Sequence, residues 1–158
     1  MKYLKTLGVI LVILLVFIFQ NFDIFVGDVD TLPNDTTLAV YEDEAYSTPE
    51  HVAMYIFEYG KLPNNYLTKD EALDLGWLSH EGNLWDVAEG MSIGGDRFYN
   101  REKLLPEKEG RVWFECDINY EGGYRNAERI VYSNDGLVYY TSDHYESFEE
   151  ITKGQLIE

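Results

Sequence analysis

The chain has 158 residues, with 29 acidic against 12 basic side chains and a net charge of −17. A hydrophobic content of 46%, with 3 Trp, 13 Tyr and 8 Phe, excludes a disordered chain and supports a domain with its own core. The charge excludes a broad basic nucleic-acid surface, and the single cysteine, Cys116, excludes an intramolecular disulfide. Phosphate binding here has to rest on a local basic cluster.

Lys2 and Lys5 precede an apolar run from Leu7 to Phe19, and no further charge appears before Asp23. This is the charged-then-apolar order of an export signal. The charge-free span 6–22 is at the short end of the roughly 17–25 residues needed to cross a bilayer. Residues 20–25 are mostly bulky or polar and offer no small-x-small cleavage site. Residues 1–26 are therefore read as an apolar helix, a signal-anchor in preference to a cleaved signal peptide. The two lysines would keep the N-terminus in the cytoplasm. The rest would be extracellular, secreted or tethered to the outer face of the membrane. Residues 27–45 read as an acidic linker. Between Asp23 and Glu44 there are seven acids and no base, and Pro33-Asn34-Asp35 interrupts regular structure. Leu38-Ala39-Val40-Tyr41 suggests a short docked strand.

The domain is assigned to residues 46–158. Thr48 with Pro49 opens a helix, Val52, Tyr55, Ile56 and Tyr59 follow at helical spacing, and Gly60 ends it. Thr68 and Glu71 form a capping box that opens a second helix through Ala72 and Leu75. Asn83 is a candidate cap for a short third helix. Beyond Gly90 the pattern changes. Trp113–Ile118, Arg129–Tyr132 and Leu137–Tyr140 are rich in β-branched and aromatic residues, and Asn134-Asp135-Gly136 joins the last two as a hairpin. Helices followed by antiparallel strands predict an α+β domain, with N-terminal helices packed on a twisted antiparallel sheet.

Two residues of this second half suggest chemistry. Glu115 lies in a predicted strand and His144 in Asp143-His144-Tyr145. A carboxylate and an imidazole can serve as general base and general acid. Arg125 and Arg129, between them, supply the fixed positive charge that a phosphate requires, or pair structurally with Asp117. Cys116 neighbours Glu115, so strand alternation turns it to the opposite face as a buried thiol. Trp77, Trp85 and Trp113 are read as core.

From about Val52 to Ile151 the chain resembles the barnase-like bacterial guanyl-preferring ribonucleases. The matching stretches are Lys61–Tyr66, Lys69–Trp77, Gly82–Gly90, Ser92–Asp96, Asn100-Arg101-Glu102, Asp117–Tyr120, Tyr124-Arg125-Asn126 and Asp143-His144-Tyr145. The resemblance implies that Glu115 is the general base and His144 the general acid. It implies that Lys69, Arg125 and Arg129 bind the phosphate and its transition state. It assigns Asn100, Arg101 and Glu102 to guanine recognition and Tyr145 to a wall of the substrate site. Asp96 either orients Lys69 or simply pairs with it. The implied reaction on RNA needs no metal or other cofactor. The ribose 2′-hydroxyl attacks phosphorus to give a 2′,3′-cyclic phosphate, which water then opens. The implied partners are RNA and a small acidic inhibitor of the barstar type, with the enzyme a monomer, held to a membrane only if its N-terminal segment stays uncleaved.

The chain departs from this pattern in its acidic charge, in Phe114 where a cationic residue is expected, and in Tyr99 beside the guanine loop. The charge keeps a second reading open, a catalytically weak or inactive ribonuclease-fold domain that binds an inhibitor-like partner. A third is a toxin delivered to competing cells.

Overall fold

The computed structural model describes residues 38–157. The signal-anchor and most of the acidic linker expected from the sequence lie outside these residues. The described chain runs through α1 (Pro49–Tyr59), β1 (Tyr66–Leu67), α2 (Lys69–Asp74), α3 (Leu84–Val87), β2 (Ser92–Phe98), β3 (Trp113–Asp117), β4 (Arg129–Ser133), β5 (Val138–Thr141), β6 (Glu149–Ile151) and a 3-10 turn at Lys153–Leu156. Six strands form one sheet in sequence order, parallel between β1 and β2 and antiparallel elsewhere. This is the expected α+β architecture.

The caps explain where the helices sit. Gly60 ends α1 in the left-handed conformation, φ 66°, and its N–H returns to the Ile56 carbonyl. Thr68 and Glu71 form the predicted capping box at α2, which places Lys69 at the first helical position. Thr48 occupies the N-cap of α1, but its hydroxyl meets the His51 ring at 2.8 Å instead of the helix backbone. Val52, Ala53 and Ile56 of α1 pack on Cys116, Ile118, Ile130, Tyr132 and Val138 of the sheet. The opposite sheet face carries a second cluster of Leu105, Trp113 and Val131, flanked by Phe98, Tyr139, Tyr145 and Phe148. Cys116 is a free buried thiol on the helix side, as alternation requires.

Three local expectations change. Leu38–Tyr41 forms no strand. Val40 buries its side chain against Met54 and Tyr55, while the Tyr59 and Tyr55 hydroxyls donate to the carbonyls of Val40 and Glu42. Side chains, rather than a neighbouring strand, take those carbonyls. Trp85 is 36% exposed, edge-on to Tyr120, with its indole N–H donated to the Met91 carbonyl. Strand β2, Ser92-Ile93-Gly94-Gly95-Asp96-Arg97-Phe98, is an addition that the sequence did not announce.

Candidate active site

The site is built on the sheet face away from α1. Strand alternation sends Trp113, Glu115 and Asp117 to that face, with Arg129 and Val131 beside them, since Glu115 pairs with Val131 and Asp117 with Arg129. On the other side of Glu115, β2 is interrupted by a bulge. Gly94 pairs with Cys116 and Asp96 with Glu115, so Gly95, at φ 96°, is the extra residue. The bulge brings Asp96 opposite Glu115.

Glu115 is almost wholly buried and both of its carboxylate oxygens are held. Lys69 Nζ donates to Oε1 at 2.5 Å, and the Tyr145 hydroxyl donates to Oε2 at 2.5 Å. Burial pushes this carboxyl up, but the hydrogen bonds from Lys69 and Tyr145 and the charges of Lys69 and Arg125 outweigh it, and its pKa falls below the ordinary value. The carboxylate is thus ionised and charge-balanced. Tyr145 moves the opposite way. Burial and then the adjacent Glu115 carboxylate push its hydroxyl up, so it stays a proton donor to the carboxylate. Asp96 ties the start of α2 to β2: its Oδ2 accepts from the Lys69 backbone N–H at 3.0 Å and lies 4.0 Å from Nζ.

Asp117, wholly buried, anchors both arginines. Arg125 donates to its two oxygens at 2.6 Å each, a bidentate fork. Arg129 Nε lies 2.8 Å from Oδ1, yet its N–H finds no acceptor in hydrogen-bond geometry. That contact is an ion pair without a hydrogen bond. The rest of the Arg129 guanidinium is placed by the carbonyls of Asn126 and Glu128. Arg125, Arg129 and His144 together line an open cavity of about 410 Å³. A larger groove is lined by Glu50, Glu128, Glu149 and Glu150 and has the wrong sign of charge for a phosphate.

His144 and Tyr145 both adopt positive φ, 59° and 76°, conformations that non-glycine residues rarely hold. Neighbours enforce them. The Asp143 carboxylate accepts from Thr141, from the backbone N–H of Glu146 and Ser147, and from the Ser147 hydroxyl. The Thr141 hydroxyl accepts from the Tyr145 N–H, and the His144 N–H is donated to the Ala127 carbonyl. Strain held in this way is typical of functional loops. The exposed His144 ring lies against Tyr145 at 4.8 Å between centroids.

The remaining predicted residues form a loop after β2. Asn100, at φ 44°, spends its side chain inside that loop, donating to the Leu105 carbonyl at 2.9 Å and accepting from the Leu105 N–H at 3.0 Å. It braces the loop, while Arg101 and Glu102 stand exposed beside it. Lys69, Glu115 and Tyr145 are thus joined directly, Arg125 and Arg129 share Asp117, and His144 shares their cavity. Asn100, Arg101 and Glu102 occupy the neighbouring loop. Sequence reasoning missed the bracing roles of Thr141 and Asp143. Their spacing, a threonine and an aspartate ahead of a polar turn, was the available signal.

A family model described as ribonuclease matches residues 50–152. A ribonuclease of Heyndrickxia coagulans is 54% identical over 105 residues, covering 66% of this chain and 96% of that protein. A ribonuclease of Bacillus intermedius is 49% identical over 122 residues, 77% of this chain and 75% of that protein. Guanyl-specific ribonuclease St of Saccharopolyspora erythraea is 34% identical over 79 residues, 49% of this chain and 74% of that protein. With a match over most of its length, an α+β sheet and a buried carboxylate set among cations, the chain belongs to the ribonuclease family, as a barnase-like microbial endoribonuclease.

Proposed function

We propose that this endoribonuclease cleaves single-stranded RNA after guanosine, by transesterification to a 2′,3′-cyclic phosphate followed by hydrolysis. The observation that carries the reading is the Glu115 carboxylate held between Lys69 and Tyr145 on the sheet face where Asp117 anchors Arg125 and Arg129, two arginines that share a cavity with His144. Glu115 takes the proton of the 2′-hydroxyl as its oxygen attacks phosphorus. His144, as imidazolium, gives a proton to the departing 5′-oxygen. In the second step His144 takes a proton from water and Glu115 returns one to the 2′-oxygen. Lys69, Arg125 and Arg129 meet the charge that grows on the phosphorane oxygens, so the reaction as proposed runs without a metal.

Guanine presents an acceptor at O6 and donors at N1 and N2. The loop fixed by Asn100 offers backbone N–H groups to O6, and the exposed Glu102 carboxylate suits N1–H and N2–H. The guanyl specificity in the name of the Saccharopolyspora relative supports this base choice. The apolar N-terminal run supports export, with tethering where the segment is retained. A barstar-type inhibitor belongs to the same proposal. The net charge of −17 slows capture of RNA and so supports one alternative, a slow or inactive domain that binds a partner, although an acidic inhibitor would gain little electrostatic steering from it. Incubating the full chain with GpA and ApA, with and without EDTA, separates these readings. Preferential GpA turnover with a cyclic phosphate product supports the enzyme. No turnover supports the binding domain, and turnover abolished by EDTA sinks the metal-free route.

A further inference from the structure

Tyr99 follows the last residue of β2 and is 65% exposed, immediately before the braced loop. The guanidinium carbons of Arg97 and Arg101 lie 5.3 and 5.6 Å from its ring centroid. Among the described residues neither arginine has a carboxylate within 4.0 Å, although the chain has 29 acids to offer. Residues 97–111 hold five basic and three acidic side chains in a protein of net charge −17. An exposed aromatic ring with uncommitted guanidiniums beside it is an arrangement that can receive a nucleobase and its phosphate.

We propose that Tyr99, with Arg97 and Arg101, stacks the base of the nucleotide on the 5′ side of the bound guanosine. The proposal rests on the reading of Asn100, Arg101 and Glu102 as the guanine loop. The direction follows from the strand. The scissile phosphate is on the 3′ side of the guanosine and has to reach Glu115 and His144. Phe98 faces Tyr145, with centroids 5.2 Å apart, so alternation turns Tyr99 away from that phosphate. RNA that continues past the loop on the Tyr99 side is then its 5′ part. A cavity of about 470 Å³ next to the ring, where Lys108 and Arg111 stand against Glu107 and Glu109 beside Tyr99 and Trp113, leaves room for it. In a protein of this charge, such a platform would recover locally the RNA affinity that the overall balance withholds. An ordinary surface cation–π cluster would alter stability and leave substrate length without effect.

The test is kcat/KM of the full chain on ApGpA and on GpA, both read at cleavage after G. The ratio within one variant is insensitive to the fraction folded. Wild type is expected to favour ApGpA by about tenfold, the order contributed by one stacked base. In Tyr99→Ala the ratio falls to near one, and in Tyr99→Phe it is kept. A wild-type ratio near one, or a tenfold ratio that persists in Tyr99→Ala, overturns the proposal. Failure of the guanine reading shows separately, as ApA turnover matching that of GpA. Failure of the Tyr99 proposal shows as intact guanine preference with a length ratio near one.

Discussion

The Tyr145 hydroxyl donates to Oε2 of Glu115 at 2.5 Å, so a residue of the His144 loop controls the acidity of a carboxylate in the middle of the sheet. Burial raises the Glu115 pKa, and the Lys69 and Tyr145 hydrogen bonds more than reverse it. Tyr145→Phe removes one of these bonds and leaves the ring packing in place. The acid limb of the kcat/KM profile on GpA therefore moves to higher pH. Lys69→Met, which removes a hydrogen bond and a charge, moves it further in the same direction. A limb that stays in place or moves lower in both variants contradicts the assignment of Glu115 as base.

Asp117 is the common anchor of Arg125 and Arg129. Asp117→Ala leaves Arg129, 2% exposed, as a buried cation without its counter-charge. The expected loss is about 3–5 kcal/mol of stability, measured from urea unfolding. RNA cleavage falls as well, because Arg125 loses its bidentate hold. A loss below about 1 kcal/mol would mean that the two arginines are held by their backbone contacts alone.

Gly94 has no room for a side chain. A Cβ there would lie 2.5 Å from the Cys116 Cβ and 2.7 Å from the Tyr66 ring. Gly94→Ala forces β2 away from β3 at the bulge that sets Asp96 opposite Glu115. Overpacking costs typically about 1–3 kcal/mol, and kcat falls along with the melting temperature. Gly110→Ala, with nothing within 4 Å but φ 79°, serves as a comparison that carries backbone strain alone. Equal activity of the two variants would argue against a role for the bulge.

The Asp143 carboxyl is pulled down from 3.8 to about 2 by the Ser147 hydroxyl, the Ser147 N–H and Thr141. A depressed carboxyl contributes stability that is fully present above pH 3.8 and is lost as pH falls through about 2. Acid unfolding of Asp143→Asn should therefore be flatter than wild type across this window. Proton-linked unfolding with an unchanged slope in the variant would count against this. At neutral pH the variant relaxes the positive-φ conformation of His144 and slows cleavage.

The legible parts of the fold are those where one local signal agreed with its surroundings. The capping box at Thr68 and Glu71 fixed α2, and with it the position of Lys69. The aromatic and β-branched runs placed Glu115, Asp117 and Arg129 on strands, and alternation separated Glu115 from Cys116. Strand β2 was hidden because two adjacent glycines, Gly94 and Gly95, dilute any strand pattern, whereas here they admit a close neighbour and a bulge. Asn100 is assigned to the guanine loop by the family resemblance. Its use in clamping Leu105 is a non-local event that composition does not encode. Leu38–Tyr41 had the composition of a strand, but the carbonyls of Val40 and of Glu42 just beyond it are claimed by tyrosines more than ten residues away.

The central claim is the division of labour between Glu115 and His144. Its most direct test compares GpA with guanosine 3′-(p-nitrophenyl phosphate), whose leaving group departs without a proton. His144→Ala should slow cyclisation of GpA by about 10²–10⁴-fold, the usual worth of a general acid, and largely spare the nitrophenyl ester. Glu115→Gln should slow both substrates alike, because the 2′-hydroxyl still has to lose its proton. Equal loss on both substrates in His144→Ala, or near-normal rates in Glu115→Gln, would contradict the account.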